Sequence, residues 1–436
     1  VRWRATPSRA AERWLPTLDR LRYRGCFGHA SSHRCVNPLA GTGSAVSRKG
    51  GAVAGSLWRA RAHRFGAKGS PGPPVQVRFA DSDEVARWDD LLLAAPDEGN
   101  AYRGSVNIAC MALQGYQAVR LIVGGHAVTG FRVDVRPLGA MWMLIGPPAS
   151  DAVELVDAAC AIADFAAEHG VSAVRVRPQL REDEGAARFL RDSGLVRVPS
   201  WLSDHIAVVD LSGTQQQVYA RFKKQTRHAL RRSVREGVQV RRVEPTSENC
   251  VTMNRLVEQT RHERFSTPPD HVLTDIYRTL SADGAGQMFM AWHGGRVVAA
   301  AFAVVFGENA MCMVGGSVRK APGDAEHPGL GTSGAGYALQ WECMKWAHER
   351  GCTRYDMDVT PSTAYIHDPT HPFHRIGKFK KSFSREITDY LGCYQVSGRP
   401  LSGWMIRRAE RFTQRKAARR ARQRGRRPNP DFVWLR

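Results

Sequence analysis

Lys378, Lys380 and Lys381 are threaded between Phe379 and Phe383 in the run 371–383, which sets three ammonium groups beside two apolar anchors four apart. Such a segment can hold a phosphate, or place a cation against the charge that develops on a carbonyl oxygen under attack. The same spacing also fits a helix start with ordinary surface lysines. Asp356 and Asp358 alternate with Tyr355, Met357 and Val359, so a strand there turns both carboxylates to one face. From that face they could deprotonate or steer an amine, or they could pair with Arg354 and the nearby lysines. A third group is purely cationic: Arg221, Lys223, Lys224, Arg227, Arg231, Arg232, Arg235, Arg241 and Arg242 have Glu236 as the one acid among them. Cations at that density repel one another unless an anion is bound. A phosphate-rich partner and a solvated basic face are the two readings.

Other chemistries find little support. Gly329–Gly336 precedes a helix and could cradle a phosphate on its backbone N–H groups, or be a flexible loop. His205, His367, His371 and His374 lack metal-site spacing, and no nucleophile elbow or Ser-His-Asp order is present. No metal and no cofactor are therefore expected. Nine cysteines without a CxxC pair suggest structural thiols in a reducing compartment. No apolar run approaches the ~20 residues of a membrane span, and a cytoplasmic setting is expected.

The elements that must position these groups come from an internal repeat. Val119–Val123, Gly124-Gly125, Val128–Val135 and Ala140–Gly146 match Met288–Trp292, Gly294-Gly295, Val297–Phe306 and Ala310–Gly315. Each block is followed by an amphipathic helix, a Gly stop and a strand, at Gly170 and again at Gly351. A Gly-Gly between alternating apolar runs favours a tight hairpin, because both turn residues need φ > 0. Each half thus reads hairpin, strand, helix, strand. Within Leu211–Val243, Ser212 or Thr214 caps a single helix with Val218, Phe222, Ala229 and Val234 on its apolar line, and Gly237 ends it.

The net charge of +22 invites a nucleic-acid reading, but its distribution restricts it. Residues 1–74 hold 14 Lys/Arg against Glu12 and Asp19, and residues 407–427 hold 11 against Glu410, which accounts for the whole excess. Residues 75–406 balance at 37 basic and 37 acidic side chains, so a polyanion site in the body must be a local cluster. The expected division is a basic, disordered extension over 1–74, a first subdomain over 75–200 and a second over 201–384. A segment at 385–406 then returns to the first, followed by a basic tail over 407–436. The extension could also be a transit peptide. The tail, with Trp404, Met405, Ile406 and Phe412 near its start, could lie on anionic lipid, trail along RNA, or be simply solvated.

Taken together, these residues carry a resemblance. The basic helix ending Glu236-Gly237-Val238, the helix Tyr337–Arg350 with Gln340-Trp341, and the strand Tyr355-Asp356-Met357-Asp358 come first. Ile376-Gly377-Lys378-Phe379-Lys380-Lys381-Ser382-Phe383 follows, with Tyr390-Leu391-Gly392 behind it, and the whole is similar to the Fem family. The Gly146-Pro147-Pro148 turn resembles that family's Gly-Pro turn, with Ile145 where an Arg often stands. The resemblance covers roughly 75–400 and is most specific in the Phe-Lys-Lys segment. It implies an α/β (α+β) chain of two tandem GNAT, or acyl-CoA N-acyltransferase-like, subdomains with mixed central sheets flanked by helices. It also implies transfer of an amino acid from aminoacyl-tRNA to an amine, usually of a peptidoglycan precursor at the inner membrane face. By the same resemblance Lys380 lies near the transferred acyl group, with Lys378 and Lys381 in support. Asp356 or Asp358 is the expected base. Arg375, Tyr337, Lys223, Lys224, Arg227 and Arg231 are expected to bind substrate. Amide formation on a small metabolite, an acyl-CoA-dependent N-acyltransferase, and a non-enzymatic RNA- or membrane-binding protein are the alternatives.

Overall fold

The fold is that of a computed structural model, which describes residues 74–261, 268–318 and 333–423. The expectations for residues 1–73, for the first half of the Gly329–Gly336 loop and for the end of the tail lie outside them. The strands are β1 (Val77–Phe79), β2 (Gln117–Val123), β3 (His126–Asp134), β4 (Ala140–Ile145), β5 (Val171–Arg177), β6 (Val196–Val198) and β7 (His205–Asp210). They continue as β8 (Gln239–Val243), β9 (Gly286–His293), β10 (Arg296–Phe306), β11 (Asn309–Ser317), β12 (Arg354–Val359), β13 (Ile387–Asp389) and β14 (Cys393–Val396). They form two seven-stranded sheets, in the orders β1-β2-β3-β4-β5-β14-β6 and β13-β7-β12-β11-β10-β9-β8.

The repeat in the sequence is a repeat in space. The β2–β3 hairpin turns on Gly124 and Gly125 (φ 56° and 86°), and the β9–β10 hairpin on Gly294 and Gly295 (φ 57° and 75°). In each half the third strand runs parallel to the one reached through the long helix, Ala152–Glu168 or Ala335–Glu349. That parallel pairing is what a helical crossover between neighbouring strands requires. Each helix buries its apolar face on its own sheet: Leu155, Ala159 and Ile162 in one core, Leu339, Cys343 and Ala347 in the other.

One strand crosses between the halves. The second sheet is built from the consecutive strands β7–β13, with β7 between β12 and β13, whereas the first takes β14 from beyond β13 and places it between β5 and β6. The expected return segment therefore divides, since Ile387–Asp389 edges the second sheet and Cys393–Val396 completes the first. The expected boundary at 406/407 falls inside one helix, Pro400–Gln423, which packs on β5 through Ile406 and Glu410. The single helix expected over 215–235 is two, Gln215–Arg221 and Lys224–Arg235. Phe222 turns extended between them and packs edge-on against Trp341 and Phe383. That break rotates the second helix, so Thr226, Leu230 and Ser233 face inward and Val234 is exposed. The Cys110 helix of the first half (Ser105–Leu113) joins the apolar cluster of Val272, Ile276 and Phe302 in the second, and this contact closes the molecule around a cleft.

Candidate active site

The ladder between β11 and β12 pairs only Asn309, Ala310 and Met311 with Arg354, Tyr355 and Asp356, although both strands continue. The corresponding β4–β5 ladder stays paired through Ile145. The second sheet therefore opens a notch that the first lacks, and Asp356 stands at its apex. Asp358, two residues on, is one of two described non-glycine residues with a positive φ, 62°, the other being Glu98. A left-handed residue inside a strand costs energy and persists only where its surroundings hold it. Here Ser203 donates to the Asp358 carboxylate at 2.6 Å, and the Asp358 N–H donates to Asp356 Oδ1 at 2.6 Å. Simple alternation does not place this pair; a kinked strand end folds the Asp358 backbone N–H back onto the Asp356 carboxylate.

Both carboxylates line a cleft between the halves, with Asp97, Tyr102, Arg177, Arg354 and Tyr390 among the other walls. Asp356 is partly accessible from the cleft but densely surrounded by protein. Burial, reinforced by the charge of Asp358, pushes its pKa up to about 7, while the Asp358 N–H, Lys380 and Arg177 pull the other way. A carboxyl titrating near neutrality can accept a proton from a reacting group and release it again. Tyr102, in the same field, has its hydroxyl raised well above the ordinary range by burial and then by the two aspartates.

Lys380 ends the short helix His374–Lys380 and is 8% exposed, with its Nζ donating to the Val359 carbonyl at 2.9 Å. It thus sits beneath the strand end that carries the aspartates. Lys378 and Arg375 lie on the opposite, exposed side of that helix. Lys381 turns to His367, 3.3 Å away. Tyr337 packs against Phe379 and Phe383, with ring centroids at 4.9 and 5.5 Å, and supports the Lys380 segment from the side of its core. The basic helix Lys224–Arg235 meets the same segment from another direction, where Thr226 Oγ1 and the Lys223 N–H both donate to the Ser382 carbonyl. Partial burial, and then the charge of Lys381, lower the Lys223 ammonium pKa. Lys224 and Arg231 are exposed, and Arg227 is held against the Ala220 carbonyl. None of these four cations lines the Asp356 cleft. Of the expected set, Asp356 and Asp358 line the cleft, Lys380 is bonded to the end of the same strand without lining it, and the remaining cations lie on a neighbouring surface.

The sequence reading missed Arg177, Ser203, Tyr102 and Asp97. Arg177 had a signal, because arginines at 175 and 177 interrupt a strand buried at every position and so must meet partners. Arg177 binds the Ser203 carbonyl and Asp204, and lies over the Tyr390 ring at 5.6 Å. The other three sit on loops and turns with no pattern to mark them. Nor did spacing show that Glu182, His205 and Asp389 converge, with His205 and Asp389 2.8 Å apart. The seven described cysteines are all free thiols, and Cys26 and Cys35 lie outside the described residues.

Two mixed sheets of matching strand arrangement, sharing a cleft and tied together by the return of β14, define a tandem GNAT fold, which is an acyltransferase fold. The family described as "Acetyltransferase (GNAT) domain" matches residues 220–365, which contain the notch and both aspartates. FemX has the same fold, with a TM-score of 0.59 and 16% identity over 75% of this chain and 98% of that one. L-PGS from Bacillus licheniformis (TM-score 0.42, 14% identity, 76% and 98% covered) is a more distant likeness. So is a tandem GNAT protein from the clavulanic acid biosynthesis pathway (0.41, 15%, 74% and 98%). No curated protein sequence matches the chain. Among the described residues, no helix is long and apolar enough to cross a membrane.

Proposed function

We propose that this chain is an aminoacyltransferase that moves an amino acid from aminoacyl-tRNA to the amine of a peptidoglycan precursor. The observation that carries the reading is Asp356, a carboxyl whose pKa is raised to about 7 at the apex of the notch, with the buried Lys380 ammonium beneath the same strand end. An ester donor is already activated, so the site needs only to orient an amine, take its proton and stabilise the oxyanion. Asp356 accepts the proton as the amine nitrogen bonds to the ester carbonyl carbon. The carbon–oxygen bond to the ribose then breaks, and the ribose oxygen leaves with that proton. Lys380 holds the Val359 backbone and supplies positive charge beside the developing oxyanion. Lys223, Lys224, Arg227 and Arg231 offer the tRNA phosphates a surface next to the centre, and Lys378, Lys381 and Arg375 extend it.

An acyl-CoA donor is the second reading, favoured by the match of residues 220–365 to the family described as "Acetyltransferase (GNAT) domain". Purified full-length chain given either radiolabelled aminoacyl-tRNA or acetyl-CoA, with a muropeptide amine and with or without RNase, separates the donors. RNase-sensitive label on the amine is the expected result. Thiol release from acetyl-CoA with no RNase effect rejects the tRNA reading.

A further inference from the structure

The helix Pro400–Gln423 carries a surface that the transfer chemistry does not use. Its inward side is Gly403, Ile406, Glu410 and Gln414, all buried. Glu410 is 2% exposed and its carboxylate pairs with the Arg175 guanidinium of β5, itself bonded to Gln395 of β14. An ion pair buried this deeply fixes the helix rotation, because turning the helix would strand both charges in the core.

That rotation decides what faces out. Leu401, Trp404, Met405, Arg408 and Phe412 recur three and four residues apart along the opposite stripe, which Arg415, Lys416 and Arg419 continue. The apolar members are exposed by 71, 49, 41 and 71%, and the Arg408 guanidinium lies 5.3 Å from the Trp404 ring. Eleven large apolar side chains are exposed among the described residues; four fall on this stripe and each of the other seven stands on a different element. Clustered apolar exposure of that kind marks an interaction surface. The helix contains one acid, Glu410, and it is turned inward. The outward face therefore combines Leu, Met and two aromatic side chains with cations alone.

We propose that this stripe docks on an anionic lipid bilayer, with the helix parallel to the surface. Leu401, Trp404, Met405 and Phe412 enter the headgroup boundary, and Arg408, Arg415, Lys416 and Arg419 meet lipid phosphates. RNA would satisfy the cations but leave the aliphatic side chains in water. A second copy of the same face would bring like charges together.

The test is co-sedimentation of the full chain with vesicles of phosphatidylcholine alone or mixed with phosphatidylglycerol, a readout independent of any transfer activity. Binding to the phosphatidylglycerol vesicles, falling with salt, is expected. Leu401→Ser/Trp404→Ser/Phe412→Ser should weaken it about tenfold or more with an unchanged melting temperature, since all three side chains face solvent. Val251→Ser, an equally exposed apolar site on another helix, should leave it unchanged. The proposal fails if the triple variant binds as the native chain does, or if phosphatidylcholine alone binds equally well. It also fails if the triple substitution abolishes self-association, or binding to homopolymer RNA, while vesicles bind neither form.

Discussion

Asp356 is the residue at which stability and chemistry oppose each other. Its carboxyl titrates near 7 in the folded chain, and an unfolded aspartate does so near ~4. Ionisation therefore works against folding across that window: the folded state is favoured by this group at acid pH and loses that advantage as pH rises through 7. Asp356→Asn should melt higher than the native chain at pH 8, by on the order of a few kcal/mol, with the gain vanishing near pH 4. Transfer activity should fall, and the acid limb of the kcat/KM profile should disappear with it. Lys380 is tested on the same profile. Its charge helps hold the Asp356 pKa down, so Lys380→Met should move the acid limb to higher pH as well as lowering the rate by ~10²–10³. A rate loss with an unmoved limb would make the lysine a scaffold residue only.

At the scale of elements, the two-helix arrangement over 215–235 connects the proposed phosphate surface to the Lys380 segment. Arg227→Gln/Arg231→Gln leaves the Thr226–Ser382 bond intact, so folding should be unaffected. Affinity for aminoacyl-tRNA should drop, and the slope of log affinity against log salt should become shallower by ~1–2. Gly334 sets the register between that helix and Ala335–Glu349. It has φ 79°, and a Cβ there would collide with the Ala229 carbonyl. Gly334→Ala should destabilise the chain by about 1–3 kcal/mol, measurable as a lower denaturation midpoint. The hairpins, long helices and glycine stops were legible because each follows from spacing within a dozen residues. The Phe222 break was not, because Trp341 and Phe383, more than a hundred positions away, supply the pocket that draws Phe222 out of helix.

For the whole molecule, the return of β14 makes the first sheet depend on the far end of the chain. Without β14, β5 and β6 lose the strand that joins them, and Arg175 loses Gln395 and Glu410. A fragment of residues 74–203 should be unfolded by circular dichroism and recover structure when residues 391–423 are supplied in trans. Arg175→Met should cost about 3–5 kcal/mol by leaving Glu410 buried and unpaired, and Arg175→Met/Glu410→Leu should recover most of it. That same pair orients the C-terminal helix, so the single variant should also weaken vesicle binding.

The sequence by itself determined the repeat, the fold class, the neutral body between basic ends, and the residue types gathered around Asp356 and Lys380. These follow from periodicity, turn chemistry and local charge, each written within a short stretch of chain. Only the tertiary structure decided that the Asp358 N–H folds back onto the Asp356 carboxylate, that Arg177, Ser203 and Tyr102 wall the cleft, and which face of the last helix looks outward. Each of those depends on partners brought together from distant parts of the chain, and burial, proton affinity and helix rotation are properties of such encounters rather than of any one segment.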